Sequence, residues 1–494
     1  MVKNTAWNAV VAGGRNSDNP GEGGQNQPPS CFKLNGYPEW FKLLKEERAK
    51  LGGKSVANSV KTEGIGKGTV APEERNELPL QDISNLIKQE IAKYMGSGSG
   101  QKVNGGDNYA HFVEFAGKPG QVCHLKKSLY GLKQASREWN AEFCAKLLAF
   151  GFVQSAHDHC LFVKNDAHGF MALIIYVDDI LLTGSHVEAL EHVKVYLDGL
   201  FTIKDLGDAK YFLGVELVRG HEGIYLNQIK YVMDILKDTG MVDCKAVSTP
   251  FPNGLKLFSG HGDTLHDPDQ YRRLVGRLLY LNMTRADITY AVQQLSQFVG
   301  SPCSSHWDAA LHVVRYLKGQ PSLGLFYPSC ALSTLSAYSD ADWGSCPDSR
   351  RSLTGYCVFF GKSLIAWKTK KQVMVSRSSA EAECRALGST VCELKWLSYL
   401  LHDLRITFTT PVPLWCDNQA VLYIVANPVF HEGTKHLEIY CHLVRDEFKA
   451  GFVKPLKMSS TLQLADIFTK PLGPSVFFSL RFKLGLADVH QVPA

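Results

Sequence analysis

Apolar positions are spaced in two ways along this chain. Up to about Lys118 they are sparse. Gly13–Pro29 is dominated by Gly, Asn, Gln, Ser and Pro, Gly96–Gly100 is a Gly/Ser run, and Gly105–Gly106 follows. Such a composition buries too little apolar surface to offset the ordering of the backbone. Residues 1–118 are therefore expected to be mostly disordered, with short helical patterns at Pro38–Leu51 and Leu80–Met95. From about Pro119 to about Leu486 the apolar density is high. Trp139–Phe150 has the period of an amphipathic helix. Met171–Val177 and Ile180–Thr183 are continuous apolar runs on either side of an acidic pair, the pattern of a buried hairpin. Tyr211–Leu217 and Gly223–Leu226 predict a second strand pair, and Lys230–Asp238, Tyr271–Met283 and Ala309–Lys318 predict helices.

A further block opens near Thr334. Strands are expected at Ser333–Asp340, Gly355–Phe360 and Leu364–Lys368, then a long helix over Ser378–Asp403 with serine at its cap. A strand at Val412–Cys416, helices at Gln419–Asn427 and His436–Ala450, a strand at Val453–Met458 and a helical Leu462–Phe468 complete it. Three hairpin strands followed by strands alternating with helices describe a mixed α/β domain. No internal repeat is present.

The 494 residues, 45% of them hydrophobic, suffice for two or more domains. A net charge of +5 is too small to argue nucleic-acid binding from global basicity. Thirteen cysteines with no C-x-x-C pair, most of them in apolar runs, predict reduced thiols. Met1–Val10 lacks the basic end and apolar core of a secretory signal. No stretch of about 18 apolar residues predicts a membrane span. The expectation is an intracellular protein, with cytoplasm and nucleus left open.

Two sets of acids carry candidate chemistry. Asp178 and Asp179, in Ile174-Ile175-Tyr176-Val177-Asp178-Asp179-Ile180, sit between two strands, where carboxylates can hold the paired divalent ions that nucleotide transfer uses. A surface turn is the competing reading, since Asp is common in turns. The apolar flanks argue against an exposed turn, and Val-Asp-Asp lacks the Gly or Asn that a tight one prefers. In the second block, Asp340 ends the first strand, Glu383 lies in the long helix, Asp417 ends the fourth strand and Asp466 lies in the last helical segment. Strand-end acids and a helix acid can meet at one end of an α/β sheet. Singly, each has a structural reading: Asp417 as a helix cap, Glu381 and Glu383 as solvated helix acids, Asp466 as a helix-start acid. Their order along alternating strands and helices is what points to a two-metal site.

The residues also carry a resemblance. Val122-Cys123-His124-Leu125-Lys126-Lys127-Ser128-Leu129-Tyr130-Gly131-Leu132-Lys133-Gln134-Ala135, then Tyr176-Val177-Asp178-Asp179, Lys204-Asp205-Leu206-Gly207, Tyr211-Phe212-Leu213-Gly214 and Leu274-Val275-Gly276 resemble, in order, the reverse transcriptase of copia-type LTR retrotransposon Pol polyproteins. The likeness runs from about Pro119 to about Leu325. Ser339-Asp340-Ala341-Asp342-Trp343, Arg351-Ser352-Leu353-Thr354-Gly355-Tyr356, Trp367-Lys368-Thr369-Lys370-Lys371-Gln372, Cys416-Asp417-Asn418-Gln419, Thr434-Lys435-His436 and Leu464-Ala465-Asp466-Ile467 resemble the ribonuclease H domain of the same polyproteins. Cys31-Phe32-Lys33-Leu34-Asn35-Gly36-Tyr37-Pro38 looks like the end of a Gag zinc knuckle. No Cys or His precedes Cys31, so zinc is not expected.

The resemblance implies an α/β and α+β multidomain protein. Its parts would be a Gag-like remnant (1–118), a partial reverse-transcriptase palm and thumb (119–330), a ribonuclease H-like mixed sheet with helices (331–475) and a tail (476–494). It implies that Asp340, Glu383, Asp417 and Asp466 hold two magnesium ions for hydrolysis of RNA in RNA–DNA hybrids. Glu383 is preferred to Glu381 because an apolar and then a small residue follow the family's acid. Lys368, Lys370, Lys371 and His436 would contact nucleic acid. Ala380, Cys384, Gly433 and Tyr440 depart from the family without removing a ligand.

The family's polymerase has a third, upstream carboxylate at a strand end. Asp18, Asp82, Asp107 and Asp158 do not fit that role, so Asp178 and Asp179 are a remnant and the polymerase is expected to be inactive by itself. The implied partners are an RNA–DNA hybrid and an RNA or DNA template, with full-length Pol in trans as a third possibility and no membrane. The alternative is a catalytically dead nucleic-acid-binding remnant.

Overall fold

The structure, a computed structural model, describes residues 6–13, 135–330, 332–426 and 438–489. The helical patterns at Pro38–Leu51 and Leu80–Met95, Cys31, Asp18, Asp82, Asp107 and His436 lie outside these residues.

The first sheet has the order β2-β3-β4-β5-β1-β6. Its strands are β1 (Ala6–Gly13), β2 (Val153–Gln154), β3 (Leu161–Asp166), β4 (Gly169–Tyr176), β5 (Asp179–Gly184) and β6 (Thr202–Asp208). The two continuous apolar runs form the β4–β5 hairpin because both of their faces are covered. Phe162, Leu173, Ile175, Ile180 and Leu182 pack under helices α1 (Ala135–Ala149) and α2 (Val187–Leu200). The pattern of polar positions had hidden α2, because Lys194 falls on its buried face. There the Lys194 ammonium pairs with Glu191 at 2.7 Å and Asp205 at 2.8 Å. The sequence placed no strand before residue 119, and Ala6–Gly13 is one, antiparallel to both β5 and β6.

The second sheet has the order β16-β10-β9-β8-β7, built from β7 (Tyr211–Phe212), β8 (Val215–Gly220), β9 (Gly223–Asn227), β10 (Leu323–Pro328) and β16 (Leu486–Asp488). Between β9 and β10 lie α3 (Ile229–Asp238), α4 (Pro268–Leu281), α5 (Thr289–Ser296) and α6 (Ser304–Gly319). Helix α4 starts at Pro268, three residues before the Tyr271 expected from the sequence. Asp267 caps it by accepting from the Asp269 and Gln270 amides, and Pro268 takes the first turn.

The third sheet has the order β13-β12-β11-β14-β15. Strands β11 (Leu335–Asp342), β12 (Leu353–Phe360) and β13 (Ser363–Lys371) form an antiparallel meander. Strands β14 (Val412–Cys416) and β15 (Val453–Lys457) add in parallel on the far side of β11. Helices α7 (Ser379–Asp403), α8 (Gln419–Ala426) and α9 (Glu438–Lys449) lie between them in sequence. Leu387, Val391 and Leu394 of α7, Val421 and Val425 of α8, and Val444 of α9 cover one face. The other face shares a core with α3–α6, through Leu353, Cys357, Phe359 and Leu364. Residues read as a tail form α10 (Pro474–Lys483), which buries Phe477 and Leu480, and then β16, which pairs with β10. No helix of the described residues is long and apolar enough to cross a membrane.

Candidate active site

The carboxylates of the third sheet gather at one end of it. Asp340 stands near the C-terminal end of β11 and is 1% exposed. Asp417 follows β14, the parallel neighbour of β11, so adjacent strands deliver both acids to the same edge. Glu383 comes from the first turns of α7, whose start is fixed by the Ser378 hydroxyl accepting from the Glu381 amide at 3.2 Å. Asp466 comes from the 3₁₀ segment Leu464–Phe468.

Their partners distinguish the roles. The Ala341 amide donates to Glu383 Oε1 at 3.3 Å, and the Cys416 thiol approaches Glu383 Oε2 at 3.9 Å. Ligand atoms of Glu383, Cys416 and Asp417 all lie within 4.8 Å of one another, which makes this the one group of three possible metal ligands among the described residues. Asp340 and Asp466 fall outside that tight group. Lys470 bridges them instead, at 3.4 Å to Asp340 and 2.7 Å to Asp466. The Thr469 hydroxyl donates to the other oxygen of Asp340. Glu381 faces elsewhere: it accepts from the Arg377 amide at 2.7 Å and pairs with Arg385 at 2.6 Å.

Burial and mutual repulsion raise the acids. Glu383 is pushed well above the usual carboxylate range by desolvation, then by the charges of Asp340 and Asp417. Asp340 is raised by burial, although Lys470 and Thr469 oppose the shift. Asp466 is pushed up to about 6 by burial and by Asp340. Lys470 moves upward because the carboxylates outweigh its own desolvation. Concentrated negative charge of this kind is what a bound cation relieves. Hard carboxylate oxygens from several elements suit magnesium.

Lys470 and Cys416 were not picked out from sequence. Lys470 stands four residues after Asp466, a spacing that pairs an acid with a base on a helical turn and would have flagged it. The neighbouring Asp342 is also raised, by burial and by Asp340.

Lys368 and Lys370 are exposed on β13, while Lys371 is half-buried and donates to Cys346 Sγ at 3.7 Å. Asp179 opens β5 of the first sheet with Asp178 in the turn before it, and no group of three possible ligands among the described residues includes them. The sequence argues against a tight turn there. The register Tyr176↔Asp179 nevertheless leaves a two-residue turn of Val177 and Asp178, with Val177 at φ +52°. The paired flanks impose the turn on a β-branched residue that disfavours it. Asp158 accepts from the Cys160 amide at 2.9 Å, a local turn contact.

The profile of a family described as "Reverse transcriptase (RNA-dependent DNA polymerase)" matches residues 111–253. A retrovirus-related Pol polyprotein from transposon RE2 of Arabidopsis thaliana is 41% identical over 372 residues, covering 75% of this chain and 26% of the polyprotein. A "putative transposon Ty5-1 protein" of Saccharomyces cerevisiae is 32% identical over 279 residues, 56% of this chain and 91% of that protein. The chain belongs to the copia-type retrotransposon Pol family. The Pol polyprotein from transposon TNT 1-94 of Nicotiana tabacum is 34% identical, over 74% of this chain and 28% of the polyprotein. The chain thus spans about a quarter of the Pol polyproteins it matches. It contains a reverse transcriptase-like domain of such a Pol protein.

Proposed function

We propose that this Pol-family chain is a hybrid-specific ribonuclease H joined to a polymerase remnant. The observation that carries the reading is the convergence of Asp340, Glu383, Asp417 and Asp466 at one edge of a sheet ordered β13-β12-β11-β14-β15. We read the antiparallel meander extended by parallel strands, with α7 across one face, as a ribonuclease H-like arrangement. Two magnesium ions held there would activate water for attack on the RNA phosphodiester and stabilise the charge that develops on the leaving oxygen. The chain's own residues supply the rest. Glu383 is held in place by the Ala341 amide, Asp340 by Thr469, and Lys470 sets the spacing of Asp340 and Asp466. Lys368 and Lys370, exposed on β13, would meet backbone phosphates, and His436 joins the proposed nucleic-acid contacts from sequence.

Polymerase activity is not proposed. Asp178 and Asp179 have no third carboxylate grouped with them among the described residues. Template or hybrid binding is proposed for both halves.

One observation favours a second reading, binding without cleavage. The Lys470 ammonium already stands between Asp340 and Asp466, where a cation belongs. The test is incubation of the full chain with magnesium and labelled RNA, either annealed to DNA or in an RNA duplex, beside a primer-extension reaction. The proposal expects cleavage of the hybrid strand and no extension. Retention of hybrid without cleavage would install the second reading, and extension would overturn the polymerase assignment.

A further inference from the structure

Strand β5 is enclosed on both faces. Ile180, Leu181, Leu182 and Thr183 are buried in succession. Ile180 and Leu182 join the core beneath α1 and α2, while Leu181 clusters with Ala209, Phe212 and Leu217 on the opposite face. A strand buried on both faces is a central strand, and its amides and carbonyls need partners along both edges. Strand β4 serves one edge. The other edge is served by β1, the first segment of the described chain.

The pairing is two-sided. Strand β1 runs antiparallel to β5 from Ala6↔Gly184 to Val11↔Asp179, and antiparallel to β6 from Asn8↔Asp208 to Gly13↔Thr202. Strands β5 and β6 are not neighbours of each other, so the slot between them is one strand wide. Residues 6–13 read Ala-Trp-Asn-Ala-Val-Val-Ala-Gly, with no charge and no proline. That composition suits insertion into an apolar sheet by strand addition.

We propose that the gap between β5 and β6 is a strand-acceptor site, which this chain fills with its own residues 6–13. The partner it fits is an extended, uncharged segment of about a strand's length that pairs along both edges. Left open, the slot would present the backbone of an apolar central strand as a template for aggregation. The occupant also bears on chemistry. Val11 holds the register position opposite Asp179, and none of the eight residues of β1 is acidic, so the inserted strand adds no carboxylate beside the Asp178–Asp179 turn.

Hydrogen exchange of the full chain tests this, with residues 353–371 of the third sheet as an internal reference. The expected result is slow exchange at 6–13 and 179–184 in a monomer. Val10→Pro, which removes a ladder donor in mid-strand, should speed exchange at least tenfold in both segments and leave 353–371 unchanged. Should that variant aggregate, a chain lacking residues 1–18 is mixed with a synthetic peptide of residues 6–13. Return of slow exchange at 179–184 supports the proposal, and no return counts against it. Exchange of 6–13 at the unstructured rate in the unaltered chain would overturn it. So would Val10→Pro leaving 179–184 protected, or slow exchange found only in a dimer, where copies trade strands.

Discussion

At the scale of single residues, two acids one turn-fraction apart on α7 have opposite roles. Glu383 faces Asp417 and Cys416, whereas Glu381 is committed to Arg385, with side-chain exposures of 7% and 9% in that pair. Glu383→Gln should remove hybrid cleavage while leaving the melting temperature nearly unchanged or raised, since it deletes a crowded buried charge. Glu381→Gln should leave Arg385 without its counter-charge and cost roughly 3 kcal/mol. Thermal melts and cleavage assays on the two variants separate them, and equal effects would show the assignment to be wrong.

Asp466 supplies a pH signature. Its native value of about 6 lies above the ordinary 3.8, so the folded state holds this proton more tightly than the unfolded chain. Its contribution to stability is present at low pH and is lost as pH rises from about 4 to about 6. Metal-free protein should therefore lose stability across that window. Asp466→Asn should flatten the loss, as melts in chelator at several pH values would reveal. Magnesium affinity should rise across the same window, because binding displaces the proton.

Val177 is a third case. A valine at φ +52° is strained, and Val177→Gly should stabilise the hairpin by about 1 kcal/mol. A destabilised variant in denaturant unfolding would contradict the strained turn.

At the scale of elements, legibility followed burial. Val412–Cys416 was readable as a strand because alternate residues, Val412, Leu414 and Cys416, enter the core, and Ser378 announced the start of α7. Asp340 and Asp417 lie at strand ends, Glu383 in the first turns of α7 and Asp466 within a 3₁₀ segment, and this placement is what lets sequence bring them to one end of a sheet. What stayed hidden depended on long-range pairing. Lys194 sits on a buried helix face only because Asp205 and Glu191 are there to meet it. Strand β1 is a short apolar segment bordering the glycine-rich stretch that begins at Gly13, and its strand character comes from the two edges it joins. The turn at Val177 was misread because local turn preference is weaker than the register of two fully paired strands. Lys470 belongs to the site through folding contacts with Asp340, which spacing to Asp466 alone only hints at.

At the scale of the molecule, the second and third sheets are fastened together rather than strung in series. The fully buried Arg285 pairs with Asp287 at 2.8 Å, and Tyr316 donates to the same carboxylate at 2.6 Å. Arg481 of α10 reaches Tyr316 at 3.3 Å, so the C-terminal helix is tied into this network. Asp287→Ala leaves a buried guanidinium without its anion and should cost about 3–5 kcal/mol. Because Ile467 and Phe468 beside Asp466 share that core, cleavage should fall together with the melting temperature. A variant that melts early yet cleaves normally would argue that the third sheet is independent of α4–α6.

We propose a working nuclease in this chain beside a polymerase remnant. The most direct measurement is magnesium-dependent cleavage of labelled RNA in an RNA–DNA hybrid by the full chain, compared with Asp340→Asn. Cleavage is expected from the unaltered chain, with a loss of about a hundredfold or more in the variant, whose fold and hybrid binding persist. Equal cleavage by both would place the chemistry elsewhere. No cleavage by a folded, hybrid-binding chain would contradict the claim.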